Sequence, residues 1–175
     1  MRYVLVDRFT ELLAGERARA VKCVTRGEPF LDELPFFPSP LVLEALLQTG
    51  GALTRISTAG TSMTVLGKVN RAKFPGRAVA GDRIDLEVTI AVSRPEGTLC
   101  EGTAHVDGKL IAEAEFMIVL LPPEMTPPPD ERRANIARAI GLPPLPGTHQ
   151  PDAPNPDVSN PDILNPGDAS HEEQA

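Results

Sequence analysis

Residues 41–47 of this chain are apolar on nearly every helical face apart from Glu44, and a helix of that kind has to be enclosed. Ser39 is placed to cap its amino end, and Pro40 suits the first helical turn. Gly50-Gly51 either loosens or ends the helix, or lets it pass close to a sheet. The enclosing surface has to come from elsewhere in the chain. From Met63 onward the apolar period becomes alternating, so that residues 64–72, 83–93, 98–106 and 109–121 read as strands. Turns fall at Pro75-Gly76, Gly81-Asp82, Pro95-Glu96-Gly97 and Asp107-Gly108. In the last of these a glycine supplies the positive backbone angle a tight hairpin needs. Residues 9–13 and 17–25, joined by Ala14-Gly15-Glu16, read as a further hairpin with Ala18, Ala20 and Val24 facing inward. The expected class is α+β: an antiparallel sheet of about six strands curled around one long central helix.

Prolines divide the chain. Most of the 19 lie beyond Leu121, so residues 1–121 form the foldable domain of this 175-residue protein. Residues 122–140 read as a linker with a short amphipathic helix over 130–140, using Ile136, Ala139 and Ile140. Residues 141–175 are rich in Pro, Asn and Asp, lack a core-forming period and are expected to be disordered. The repeated Asn-Pro-Asp at 155–157 and 160–162 is either a recognition element or low-complexity tail. A net charge of -7 argues against a general nucleic-acid partner. No apolar run reaches membrane-spanning length and no N-terminal segment has the order of a secretory signal, so no membrane partner and a cytoplasmic location are expected. Cys23 and Cys100 read as half-buried thiols in reduced strands, with a disulfide between them as the alternative. No metal constellation, Gly-rich phosphate loop or nucleophile elbow is present, and no cofactor is implied.

Residues 28–40 hold four prolines and three phenylalanines, too many prolines for a regular element and too much apolar surface for an ordinary exposed loop. A packed loop lining a pocket or interface satisfies both. Glu44 interrupts the apolar helix, where an unpaired carboxylate is costly and must meet water, a partner or a pocket. Gln48 lies one turn later on the same face and can orient it. The alternative is that Glu44 emerges at a dimer edge or pairs with an arginine. His105 falls beside the Asp107-Gly108 turn, and His149 and His171 fall in the tail. Ser57, Thr58, Thr61, Ser62 and Thr64 read as a polar loop and strand entry. Arg71, Lys73 and Arg77 bracket Phe74, as a basic patch for an acidic carrier protein or a carrier phosphate, or as a solvated turn.

Several segments in order resemble the 3-hydroxyacyl-acyl-carrier-protein dehydratases of fatty-acid synthesis. They are Arg2-Tyr3 with Leu5-Val6-Asp7-Arg8, Val21-Lys22-Cys23-Val24-Thr25, and Glu28-Pro29-Phe30. Leu41-Val42-Leu43-Glu44-Ala45-Leu46-Leu47-Gln48-Thr49-Gly50-Gly51 resembles the family's central helix. Lys73-Phe74, Val79-Ala80-Gly81-Asp82 and Val106-Asp107-Gly108-Lys109-Leu110 follow. The resemblance implies a hotdog fold and a dimer whose sites lie at the interface, each pairing a histidine of one subunit with a glutamate on the other's helix. It implies loss of water from a 3-hydroxyacyl thioester of acyl-carrier protein or coenzyme A, with Glu44 as acid and Gln48 in support. Phe36, Phe37, Leu41, Gly50, Gly51 and Phe74 are expected to bind substrate, and Arg71, Lys73 and Arg77 the carrier.

The family's histidine belongs in a loop that here runs over residues 30–39, is a few residues short and contains no histidine. Glu33 or Asp32 would have to substitute as base. Three readings follow: a subunit that pairs with a histidine-bearing dehydratase, in place of or beside the homodimer; a divergent enzyme, such as an acyl thioesterase using Glu44 to activate water; or a noncatalytic carrier-binding or structural module.

Overall fold

The computed structural model describes residues 4–58, 63–121 and 125, and for Phe30 the backbone alone. Strands β1 (Arg8–Leu13) and β2 (Arg17–Cys23) form the first hairpin, followed by a 3-10 turn at Pro29–Leu31 and helix α1 (Ser39–Ser57). Strands β3 (Thr64–Lys73), β4 (Arg83–Arg94), β5 (Gly97–Val106) and β6 (Lys109–Leu120) complete one sheet. Its order is β1-β2-β4-β5-β6-β3, with every neighbouring pair antiparallel. The helix packs across β2 to β6, giving the α+β arrangement expected from the alternating and helical periods and the hotdog fold that the resemblance implies.

The helix and its glycines depart from expectation in instructive ways. Ser39 is the first helical residue and caps nothing; Pro38 occupies the cap position, its carbonyl accepting from the Leu41 and Val42 amides at 2.9 and 3.2 Å. Gly50-Gly51 does not end the helix, which continues to Ser57. Instead, a Cβ on Gly50 would lie 2.6 Å from Phe116 Cε2, and one on Gly102 of β5 would lie 3.3 Å from Phe116 Cε1. The glycines therefore let helix and sheet close on the fully buried Phe116 ring.

Enclosure of α1 is one-sided. Val42, Ala45, Leu46, Thr49, Leu53 and Thr54 form its buried side against the sheet. Glu44, Gln48, Gly51 and Arg55 recur at the i, i+4, i+7 and i+11 spacing of a single helical stripe, and all are only half-buried. Leu43 and Leu47 flank that stripe, also half-buried.

Ala18, Ala20 and Val24 are buried as expected, although β2 itself stops at Cys23. Beyond it, Val24 exchanges main-chain hydrogen bonds with the turn before β4, donating to Asp82 and accepting from Gly81. Asp107 and Gly108 both have positive φ, 49° and 75°, the conformation of a two-residue hairpin turn. The thiols differ from the half-buried pair expected. Both are free, but Cys23 is exposed and Cys100 fully buried. Burial pushes the Cys100 thiol up to about 11, with the neighbouring Thr54 hydroxyl acting in the opposite direction. Among the described residues no helix is long and apolar enough to cross a membrane. Arg2, Tyr3, Thr61, Ser62, the helix expected over 130–140, the tail repeats, His149 and His171 lie outside the described residues.

Candidate active site

Glu44 sits on the half-open stripe of α1, and its partner is a neutral amide. Gln48 Nε2 donates to Glu44 Oε1 at 3.0 Å, the i, i+4 contact that helical spacing predicts. Gln48 is held in turn by the segment preceding β1, whose Leu5 main-chain N–H donates to Gln48 Oε1 at 2.9 Å. Leu5 is 1% exposed, and leaving a buried N–H without an acceptor costs about 1–3 kcal/mol. The carboxylate thus lies at the end of a built chain of donors, on a helix face that water or a ligand can reach.

The proline-rich loop is packed only in part: Phe37 enters the core, while Pro29, Asp32, Glu33, Leu34 and Pro35 are exposed. Phe37 is 1% exposed, and its N–H donates to the Ala78 carbonyl at 2.8 Å. Beneath it lies Lys22, whose ammonium is 2.6 Å from Glu28 Oε1, 3.8 Å from Asp7 Oδ1 and 5.9 Å from the Phe37 ring centroid. This buried cation is an element of the loop's packing that sequence reasoning missed. Its signal was present: Lys22 shares the inward register of Ala18 and Ala20, with an acid six residues later.

Asp32 and Glu33 are exposed on the same loop, and neither hydrogen-bonds to Glu44. Phe36 is half-buried under the Arg77 guanidinium, 4.2 Å from its ring centroid, while Phe74 is exposed. Leu41 and Gly51 are half-buried on the helix, Gly50 is closed against Phe116, and Phe37 belongs to the core. The three cations do not form one unpaired set. Lys73 pairs with Glu113 at 3.1 Å, Arg71 stands exposed opposite Glu115 in the sheet register, and Arg77 has an aromatic partner. His105 alternates with core-packed Ala104 and Val106 and so lies on the outer face of the sheet, away from the helix. No group of metal-ligating side chains converges among the described residues.

Comparison with known proteins gives the same frame. The FabA-like domain model matches residues 1–115. The 3-hydroxyacyl-[acyl-carrier-protein] dehydratase FabZ of Anaeromyxobacter sp. (strain K) is 36% identical over 126 residues, covering 67% of this chain and 81% of that protein. Its counterpart in Cereibacter sphaeroides (strain ATCC 17025 / ATH 2.4.3) is 38% identical over 128 residues, with the same coverage of 67% and 81%. Two solved structures share the fold. The dehydratase heterocomplex ApeI:P from Xenorhabdus doucetiae matches with TM-score 0.59 and 13% identity, over 69% of this chain and 85% of that one. A Streptococcus mutans UA159 protein bound to acetyl CoA matches with TM-score 0.59 and 14% identity, over 69% and 93%. With the family model spanning most of the folded region and FabZ relatives above one-third identity, the chain belongs to the FabA-like/FabZ family of hotdog-fold dehydratases.

Proposed function

We propose that this dehydratase-like protein binds the 3-hydroxyacyl thioester of acyl-carrier protein in the cytoplasm and supplies the acid half of a site completed by a histidine-bearing subunit. The observation that carries the reading is the keyed Glu44, held by Gln48 on a half-open helix face, beside a loop without histidine. In this division of labour the partner imidazole takes the C2 proton and Glu44 protonates the departing C3 hydroxyl. Residues 1–121 form the acting domain. Arg77 and Arg71 give an acidic protein local cations for a carrier phosphate, and Phe36, Leu41, Gly51 and Phe74 lie within its apolar approach.

Two features support a second subunit. Among the described residues strand β3, ten residues long, is an edge of the sheet with no strand paired on its outer side, and Leu66 is 46% exposed. The half-open stripe of α1 leaves Leu43 and Leu47 incompletely covered within one protomer. The fold is compatible with unlike subunits, since the Xenorhabdus protein of the same fold is a dehydratase heterocomplex.

The test is a mass-spectrometric turnover assay of the purified protein with 3-hydroxyacyl and acyl thioesters, with Glu44→Ala in parallel. The expected result is no product from the protein by itself, and enoyl thioester once a histidine-bearing family member is added. Enoyl product from the protein by itself would assign the base to this chain, with Glu33 the first candidate. Free acid lost in Glu44→Ala would establish a thioesterase instead.

A further inference from the structure

We propose that the main-chain N–H of Leu5, acting through Gln48, selects Oε2 of Glu44 as the oxygen that carries the transferable proton. The inference rests on the reading of Glu44 as the acid. It makes the N-terminal strap, residues 4–7, a positioning element of the site.

The two ends of the Gln48 amide are chemically different, and Leu5 decides which faces Glu44. The buried Leu5 N–H needs an acceptor, and Gln48 Oε1 is that acceptor at 2.9 Å. Nε2 is therefore turned to Glu44 Oε1, at 3.0 Å. A flipped amide would set Nε2–H against the Leu5 N–H and its carbonyl against the carboxylate, losing both hydrogen bonds at once. The strap does not depend on Gln48 for its own place. Asp7 N–H donates to the Val21 carbonyl at 2.9 Å, and Asp7 Oδ2 accepts from the Cys23 N–H at 2.5 Å. Leu5 and Val6, 1% and 8% exposed, are anchored in the core.

Glu44 Oε1 is thus committed as an acceptor, because a proton placed there toward Gln48 would oppose the Nε2–H. Oε2 holds the proton in the acid form. In the elimination it passes from Oε2 to the departing C3 hydroxyl, and the C3–O bond breaks with its electron pair leaving in water. The C2–H electrons form the C2=C3 bond, while the imidazole of the second subunit receives the C2 proton. Glu44 is left as a carboxylate whose Oε1 remains bonded to Gln48.

The test replaces Leu5 with its α-hydroxy counterpart, an amide-to-ester exchange that deletes this one N–H and keeps the side chain. Gln48→Met, which removes both ends of the amide at similar volume, is the second variant. The first readout needs no turnover: the side-chain 15N–1H signals of Gln48, which should move when Glu44→Gln is introduced. In the ester protein that response should be lost. The second is turnover in the assembly with the histidine-bearing subunit, where kcat should fall about 10- to 100-fold and KM stay within about threefold. Gln48 signals unchanged by the ester overturn the inference, whether or not any assembly turns over. Unchanged kcat in both variants overturns it too. A lost signal response without turnover in any assembly retains the strap geometry and refutes the acid role of Glu44 instead.

Discussion

Gly50→Ala should destabilise this domain through one side chain, Phe116. The new methyl would lie 2.6 and 2.8 Å from Phe116 Cε2 and Cζ, distances at which the ring has to move. It has little room: Phe116 is fully buried, and on its other side Gly102 is itself within a Cβ contact of the ring. Alanine in place of glycine inside a helix contributes up to about 1 kcal/mol of stability. Overpacking of a closed core costs about 1–3 kcal/mol, so with that gain offset the net expectation is a loss of up to about 2 kcal/mol. For a domain of this size that lowers Tm by several degrees. Phe116→Leu removes the offending ring edge and costs stability by itself, because it opens a cavity. In that background, however, Gly50→Ala should be neutral or stabilising. Thermal or urea unfolding of the four proteins in a double-mutant cycle measures the coupling, expected at about 1–3 kcal/mol. Additive effects would show that the helix does not close on Phe116 at Gly50.

Further outcomes follow from other contacts. Glu44→Ala should lower dehydration by the assembled protein about 100-fold or more, with little change in Tm, measured by enoyl product and a thermal melt. Lys22→Met should cost about 3 kcal/mol by leaving Glu28 poorly paired beside Phe37, and Glu28→Gln added to it should recover part of the loss in urea titrations. The Cys100 thiol, raised from 9.0 to about 11, keeps its proton in the folded state while the unfolded thiol releases it. Stability should therefore fall as pH rises from 9 towards 11, by about 2 kcal/mol, and Cys100→Ala should flatten that dependence. Thiol reagents at neutral pH should modify the exposed Cys23 in the native protein and reach Cys100 only after denaturation.

The elements were legible where local chemistry and burial agree. Alternating residues gave β3 to β6 nearly to their ends, and Asp107-Gly108 specified its turn because few residue pairs accept two positive φ angles. The N-terminus of α1 was misread at Ser39, since a capping residue type says nothing about whether the chain enters helical geometry one residue earlier at Pro38. Gly50-Gly51 was ambiguous for a different reason: glycine permits both a helix end and a close approach, and only the distant Phe116 decides between them. The contact between Glu44 and Gln48 could be found from their spacing alone. The Leu5 contribution could not, because every non-proline residue carries a main-chain N–H and its direction is set by tertiary placement. Lys22 illustrates a middle case, visible in strand register once a buried cation is allowed a carboxylate from a neighbouring loop.

The most direct test of the central claim is complementation with a histidine-bearing dehydratase subunit whose own helix glutamate has been replaced by alanine. Mixed with this protein, that subunit should form enoyl thioester from a 3-hydroxyacyl carrier, and the activity should vanish when Glu44→Ala is introduced here. Product formation that persists with Glu44→Ala, or no product from a mixed complex shown to assemble, would contradict the assignment of Glu44 as the acid half of a shared site.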